Sequence, residues 1–205
     1  MQQGNQRRTT TGAADWIAQQ ASGACLDSVD IADFADPMTR VLLGGDGSTT
    51  LALEALLGVR LEVRVLHQDV MDSARLPEPM GRLLRSDEDA TGTVLMRWSQ
   101  LMDTRGRVVS ANYVAVGGPT TPTAEATDPA GIGRLDRPIG HSIRAAGTSQ
   151  RRDIVTTGTD RWRDGRRCAT RSYLMDIAGS RRCFIRESFN PHLVPADLAE
   201  TERPA

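Results

Sequence analysis

Lysine is absent from this chain of 205 residues, and all 25 of its basic residues are arginine. A pyridoxal-phosphate Schiff base, a lysine-dependent aldolase and a Walker-type phosphate loop each require the lysine amine itself. The missing amine therefore excludes these three kinds of site from the chain.

Cysteines and long apolar runs are also scarce. Cys25, Cys168 and Cys183 are scattered and form no C-x-x-C motif, which argues against a disulfide framework and a structural zinc site. No window approaches eighteen apolar residues, and the first twenty residues lack the apolar core of a secretory signal. We therefore expect a cytoplasmic protein with reduced cysteines.

Charge of neither sign dominates the chain. Its net charge is -1, and acidic and basic residues are interspersed. Nucleic-acid binding is typical of a basic stripe, and membrane-surface binding is typical of a cationic amphipathic helix. Since neither pattern is found, we expect a small-molecule partner and neither nucleic acid nor a membrane.

Helix signals are strongest in the first half of the chain. The runs "DPMTRVLL" and "STTLALEALLG" predict two helices, the second with Ser48 as N-cap and Gly58 just past its end. Short helices are also predicted at "EPMGRLLRS" and "RPIGHSIRAAG", with a surface loop at "GGPTTPTAEATDPAGIG".

Six runs alternate as strands do. They are "LEVRVLHQ", the two arms of a hairpin around "DTRGR", "RDIVTTG", "RCATRSYLMDI" and "RRCFIRESF". Neighbouring hairpins with only short helices between them predict an α+β domain, an antiparallel sheet with helices packed against it. We assign residues 1–35 to a peripheral segment, 36–195 to the domain and 196–205 to a frayed tail.

Several motifs have an ordinary structural explanation. The run "GGDGSTT" could cradle a phosphate, but it lacks the G-K-[ST] ending, so helix capping is the better interpretation. His67, His141 and His192 lie far apart without metal-ligand spacing, and we expect no metal site. The short runs "QRR", "DGRR" and "SRR" near strand ends are interpreted as solvated charges.

Two charged residues fall on apolar strand faces. In "RRCFIRESFNP", Cys183, Ile185 and Phe189 share one face by alternation, and Glu187 lies on it. Arg97 in "VLMRWS" sits in the same way in the middle of a strand. A buried carboxylate must be paired, hydrogen-bonded or protonated, and such an Arg suits a bound carboxylate or a partner such as Glu187. Spacing alone leaves a structural ion pair and a functional site equally open.

The order of segments resembles that of the chorismate pyruvate-lyase family, especially its actinobacterial and archaeal branch. The resemblance spans residues 41–195, and it is the ordered set of segments that carries it. The family implies a six-stranded antiparallel sheet with helices on one side and a small enclosed site under helical flaps. The matching segments are "LLGGDGSTTLALEALLG", "LEVRVLHQ", "GTVLMRWSQLMD", "VVSANYVAV", "RPIGHSIRAAG" and "ATRSYLMDIAGSRRCFIRESFNP".

The resemblance also implies site residues. Arg97 matches the Arg of the family's "L-x-R" strand, which binds the ring carboxylate. Glu187 in "R-E-S-F-N-P" matches the Glu that contacts the ring hydroxyl and is the acid/base candidate. The remaining implied contacts, through backbone groups, are Val65 and the "PIG" turn at Ile139 and Gly140.

The implied reaction eliminates pyruvate from chorismate and leaves 4-hydroxybenzoate. Because aromatisation drives it, the resemblance implies no metal, nucleotide or redox cofactor. Arg97 holds a carboxylate with two hydrogen bonds, and a partly desolvated Glu187 assists proton movement near C3 and C4 of the ring. The resemblance also leans towards a monomer.

The chain departs from the family pattern at several positions. The family's "T-E" is "R-E" here, and we expect Arg186, which points away from Glu187, to be solvated. Asn190 replaces an apolar residue, and Asn112, roughly opposite Arg97 across the hairpin, adds a polar group to the pocket floor.

These departures leave two alternatives open. One is a natural-product enzyme of the same fold that acts on a different substrate by elimination or cyclisation. The other is a non-catalytic metabolite-binding domain like those of GntR-type regulators. The residues ahead of the matched region lack a recognition-helix pattern, which disfavours a stand-alone regulator.

Overall fold

The computed structural model describes most of the region that is patterned in the sequence. The predictions for Cys25, Ile139, Gly140, the surface loop and most of "EPMGRLLRS" and "RPIGHSIRAAG" lie outside the described residues. The described residues are 27–76, 80, 83–84, 92–117, 141, 150–177 and 181–200.

An antiparallel sheet dominates the described residues, in agreement with the predicted α+β class. It has seven strands rather than six, and the unexpected one is only two residues long. The order across the sheet is β1-β5-β6-β7-β4-β3-β2, and all neighbouring strands are antiparallel. The strands are β1 (Asp27–Ser28), β2 (Leu61–Asp72), β3 (Thr93–Asp103), β4 (Val108–Gly117), β5 (Gln150–Arg161), β6 (Arg167–Ile177) and β7 (Arg181–Phe189).

Helix α1 (Pro37–Gly44) and helix α2 (Thr49–Leu57) begin and end as their sequences predict. The Ser48 side chain caps α2 by accepting from the backbone N–H of Leu51, so the capping interpretation of "GGDGSTT" is confirmed. Gly58 ends the helix in the left-handed conformation, with φ of 66°. None of the helices in the described ranges is long and apolar enough to span a membrane.

Both faces of the sheet are covered, so the expectation of helices on one side is wrong. On one face, Leu43 of α1 and Leu53 of α2 pack in a core with Leu101 and Phe189. On the opposite face, Leu76, Met80 and Leu84 pack against sheet residues that include Met96, Trp98, Tyr113 and Phe184. Nearly every residue of the central strand β4 is buried, so both of its faces are covered.

The domain extends beyond the predicted bounds at both ends. Strand β1 pairs with β5, and Phe34 is fully buried in the core, so residues 27–35 belong to the domain. At the other end, Leu198 forms a β-bridge with Phe34, and the N–H of Ala199 donates to the carbonyl of Asp33. The start of the predicted frayed tail is therefore held by backbone hydrogen bonds.

A β-bulge in the β3–β4 hairpin decides which side chains face the helices. The register shifts by one residue between Leu101 and Met102, and Arg97 then lies opposite Val114. Asn112 lies opposite Ser99, two residue pairs nearer the turn than the predicted position opposite Arg97. Because a shift of one residue exchanges the two faces, the bulge is what brings Asn112 onto the helix side.

The turn of this hairpin is organised by Asp103. Its carboxylate accepts from the backbone N–H groups of Arg105 and Arg107, each at 2.9 Å, and from Nε of Arg107 at 3.0 Å. Gly106 takes the positive φ, 76°, that this turn requires. The Arg107 backbone N–H is the main cause that holds the pKa of Asp103 below its ordinary value of 3.8, while burial opposes it.

We expect Asp103→Asn to lower the melting temperature at pH 7, with a difference from the wild type that shrinks in acid. A carboxyl with a lowered folded-state pKa stabilises the fold above its unfolded pKa and loses that effect as pH falls through the folded value. Thermal unfolding from pH 7 to pH 3 measures the difference, with the exposed Asp69→Asn as control. A difference that stays constant across this range would contradict the prediction.

Candidate functional site

A small cavity, which we call the α2 cavity, lies between the start of α2 and the helix-covered face of the sheet. Its volume is about 40 Å³. At about 10–15 Å³ per water it holds a few waters, and it is well below the roughly 300–1,000 Å³ of pockets that bury small ligands. A ring-sized ligand therefore requires movement of a lining group. The described lining residues are Ser48, Thr49, Thr50, Val63, Arg97, Ser99, Leu101, Asn112, Val114, Arg152, Tyr173, Met175, Ile185 and Glu187.

A row of polar side chains crosses the floor of this cavity. Strand pairing joins Ser99, Asn112, Glu187 and Arg171 side by side on β3, β4, β7 and β6. The next row, in the same strand order, is Arg97, Val114, Ile185 and Tyr173. Paired residues point to the same face of a sheet, so the side chains of both rows face the same cavity. The first row contains Glu187 and Arg171, and the second contains Arg97.

Three donors among the described residues hold Glu187. Its Oε2 accepts from Nε of Arg171 at 3.0 Å and from the hydroxyl of Thr49 at 2.9 Å, and its Oε1 accepts from the Tyr173 hydroxyl at 3.3 Å. Burial, and then the charge of Glu187, raise the pKa of Tyr173 well above its ordinary value, so this phenol remains a donor. Spacing alone leaves either a bound carboxylate or Glu187 as the partner of Arg97, and the described ion pair of Glu187 is with Arg171.

Arg171 ties the helices to the sheet, and the sequence interpretation did not single it out. Its Nη1 donates to the carbonyls of Leu43 and Gly45 at 3.0 and 2.8 Å, and its Nη2 donates to the Thr49 hydroxyl at 2.8 Å. The same alternation that marks Glu187 could have found it, because Arg171 shares a strand face with Ala169, Tyr173 and Met175. Arg171 thereby positions both the carboxylate and the roof of the cavity.

Two further arginines line the cavity. Arg97 is only 1% exposed, on the middle of β3 as alternation predicts. Arg152 is half-buried, donates from Nη1 to the Thr49 hydroxyl at 3.2 Å, and places its guanidinium carbon 4.9 Å from the centre of the Tyr173 ring. The interpretation of "QRR" as solvated charges is therefore wrong for Arg152, which lies opposite the cavity-lining Met175 of β6 and so on the cavity side of the sheet.

Of the other predicted site residues, Asn112 lines the cavity, Val65 is not among its described lining residues, and two lie outside the described residues. Asn112 lines the cavity and accepts from the Ser110 hydroxyl at 3.1 Å. Val65 lies opposite Ser99 at a bulge of β2, while Val63 of the same strand lines the cavity, and the contact of the Val65 amide stays a prediction. Ile139 and Gly140 lie outside the described residues, and the neighbouring His141 contacts Glu54 of α2 at 3.2 Å.

Arg186 points to the opposite face, as predicted, but it is not solvated. It is 1% exposed and forms a buried ion pair with Asp160 of β5. The Cys168 thiol is buried near this pair, and its pKa is raised to about 12 by burial first and by the charge of Asp160 second. The expectation failed because both sheet faces are covered, so alternation away from one core led into another.

Within the part of the chain that the structure describes, no group of three or more His, Cys, Asp or Glu side chains comes together as a metal site would require. The charged residues described around the α2 cavity are Arg97, Arg152 and the ion pair of Glu187 with Arg171. Chemically, these arginines suit an anionic ligand, and the carboxylate of Glu187 lies beside the space that such a ligand would fill.

Comparisons with known proteins leave the family of this chain open. No protein-family model matches the chain, and no curated protein matches it. Among solved structures it is similar to the crystal structure of the possible transcriptional regulator YydK from Bacillus subtilis subsp. subtilis str. 168, at 9% sequence identity and a TM-score of 0.46. That similarity covers 94% of this chain and 83% of the other.

Proposed function

We propose that the α2 cavity binds a ring carboxylate and that the chain eliminates pyruvate from chorismate to give 4-hydroxybenzoate. The observation that carries the proposal is the presence of Arg97, buried to 1% exposure, and Glu187 on one cavity floor. The resemblance to the chorismate pyruvate-lyase family gives the same two residues these roles.

Arg97 is suited to a carboxylate ligand by its chemistry and its position. A guanidinium presents two parallel N–H groups that match the two oxygens of a carboxylate. In a site from which water is largely excluded, such charge-assisted hydrogen bonds are worth about 1.5–3 kcal/mol each. Arg97 therefore supplies both binding and orientation of the ring acid.

Glu187 is suited to assist proton transfer because it is fixed and faces the cavity. Among the described residues, its Oε2 accepts from Arg171 and Thr49, and its Oε1 accepts the longer bond from Tyr173. A carboxylate oxygen accepts more than one hydrogen bond, so Oε1 can also receive a ring proton or hydroxyl. Arg171 and Thr49 act as positioning residues, because their bonds to Oε2 fix the carboxylate and so orient Oε1.

A second candidate is binding of the same ligand class without chemistry. The observation that favours it is the buried ion pair of Glu187 with Arg171, whose guanidinium also holds the carbonyls of Leu43 and Gly45. The Glu187 carboxylate therefore has a structural role as the partner of Arg171. That role explains its presence in the cavity without any catalytic function.

Incubating the purified chain with chorismate separates the two candidates. We expect 4-hydroxybenzoate and pyruvate to appear in equal amounts. Loss of proton transfer in Glu187→Gln is expected to lower kcat roughly 10²- to 10⁴-fold. Loss of a charged anchor in Arg97→Ala is expected to lower kcat/KM at least about tenfold.

The matched controls are Glu62→Gln and Arg64→Ala, both exposed on β2, which should keep wild-type rates. Melting temperatures of all four variants establish that each is folded at the assay temperature. Chorismate that remains intact, together with a melting temperature raised by 4-hydroxybenzoate, would exclude the lyase and support the binding candidate.

A further inference from the structure

We propose that a second cavity, which we call the hairpin cleft, binds a small phosphate monoester that also carries an ammonium group. The cleft lies at the turn end of the β5–β6 hairpin, where β1 joins the sheet. It shares none of its described lining residues with the α2 cavity, so the inference is independent of the proposed function. The described lining residues are Asp27, Thr159, Asp160, Arg161 and Arg167.

The hairpin cleft is large enough for a small ligand as it stands. Its volume is about 370 Å³, whereas that of the α2 cavity is about 40 Å³. Pockets that bury small molecules have volumes of roughly 300–1,000 Å³. A small phosphate ester therefore fits the cleft without movement of a lining group.

Strand pairing places two guanidinium groups side by side in this cleft. Arg161 of β5 lies directly opposite Arg167 of β6, so both side chains are on the same face of the sheet. Both are exposed, as the interpretation of "DGRR" predicts for Arg167, and within the described ranges neither forms an ion pair. Like charges directly opposite each other on neighbouring strands repel, and an anion bound between them removes that repulsion. Two guanidiniums together match the oxygens of a phosphate dianion.

The backbone that carries these arginines is fixed before any ligand binds. The N–H of Trp162 donates to the carbonyl of Arg166 at 2.8 Å, and the Trp162 side chain is only 4% exposed in a buried cluster. Gly165 takes a positive φ of 85° in the turn, and its carbonyl accepts from Nη1 of Arg161 at 3.0 Å. A preorganised site loses less entropy when it binds a ligand.

A carboxylate at the β1 side of the cleft favours a cationic group on the ligand. Asp27 lies opposite Thr159, two residues before Arg161, and therefore on the same face as the two arginines. The Thr159 hydroxyl donates to Oδ2 of Asp27 at 3.4 Å. One strand spacing and a step of two residues put the backbones of Asp27 and Arg161 about 8 Å apart. That distance suits a ligand with an ammonium group a few bonds from its phosphate.

The net charge of the cleft matches such a ligand. Asp160 alternates to the opposite face, where Arg186 forms the buried ion pair with it. The remaining charged lining residues of the described set are two arginines and the single carboxylate of Asp27. A phosphate monoester carries a charge of about −2 near neutral pH, and one ammonium group brings the ligand to about −1. Ligand and cleft therefore have opposite net charges of similar size.

Isothermal titration of the whole chain at low ionic strength, with two probes that differ by one group, tests the role of Asp27. The probes are O-phosphoethanolamine and ethyl phosphate, which lacks the ammonium group. We expect the wild type to bind O-phosphoethanolamine about threefold more tightly, as one exposed ion pair implies. Asp27→Asn should remove this preference and bind ethyl phosphate at least as tightly as the wild type, because a carboxylate near the phosphate is then gone.

A matched pair of arginine variants tests the phosphate site itself. Arg167→Gln should weaken the binding of both probes at least about fivefold, because it removes a charged donor. Arg166→Gln removes the same charge from the neighbouring exposed residue, which is not among the described lining residues, and should keep both affinities within about twofold. Melting temperatures establish that all three variants are folded.

Several outcomes overturn the proposal. One is that the wild type binds neither probe at millimolar concentrations or binds both equally well. Another is equal weakening by Arg166→Gln and Arg167→Gln, which would show general attraction to a basic hairpin. A third is an Asp27→Asn variant that keeps the preference for O-phosphoethanolamine.

Discussion

Replacing Arg171 with methionine is expected to lower the free energy of unfolding by about 3–5 kcal/mol, the usual cost of removing one partner of a buried ion pair. The variant leaves Glu187 as a buried carboxylate without its guanidinium. It also removes the donors to the carbonyls of Leu43 and Gly45, which hold α1 and the loop before α2 against the sheet.

Urea unfolding of the wild type and the Arg171→Met variant measures this loss. The control is Arg167→Met, which changes an exposed residue on the same strand and by alternation on the same face, and should cost less than about 0.5 kcal/mol. Adding Glu187→Leu to Arg171→Met should recover part of the stability, because the uncompensated charge is then gone. A loss below about 1 kcal/mol in Arg171→Met would contradict the claim that this ion pair stabilises the packing of the helices on the sheet.

The Arg186→Met variant is expected to show a loss of similar size, about 3–5 kcal/mol, from the opposite face of the sheet. Arg186 and Asp160 are both almost fully buried, and they join β7 to β5 across the intervening β6. Without the guanidinium, Asp160 stays among buried groups that include the Cys168 thiol. The variant therefore removes the guanidinium that pairs with this buried carboxyl group.

Arg182→Met is the matched control for this variant. Arg182 lies four residues earlier on β7, on the same alternation face, and pairs with Asp176 at 3.0 Å. The side chains of that pair are 48% and 41% exposed, so its loss should cost only about 0–1 kcal/mol. Equal destabilisation by the two variants would show that burial does not set the strength of these ion pairs.

Local patterns in the sequence were sufficient for most of the elements and for the first two site residues. Alternation placed Glu187 and Arg97 on an apolar strand face, and both line the α2 cavity. Capping rules identified Ser48 and Gly58 at the ends of α2. These features depend on backbone periodicity and on residues a few positions apart, which a single sequence displays directly.

The partners of those residues could not be predicted in the same way. Glu187 pairs with Arg171 and Thr49, and Arg186 pairs with Asp160, at separations of 16 to 138 residues along the chain. Alternation predicts on which face of the sheet a side chain lies. It does not predict whether that face is exposed to water or covered by a second core. Arg186 was misjudged for this reason, whereas Arg152 was taken for a solvated charge at a strand end although it lines the cavity.

The sequence alone determined six of the seven described strands, the ends of α1 and α2, the α+β class and the positions of Arg97 and Glu187, because each follows from local periodicity and capping. Only the tertiary structure decided that the sheet is covered on both faces, that a one-residue bulge places Asn112 opposite Ser99, and that Arg152 reaches over Tyr173. Those features depend on strand order and register, and register is set by contacts between distant segments. The charge around the α2 cavity is therefore a property of the fold, assembled from arginines on three different strands.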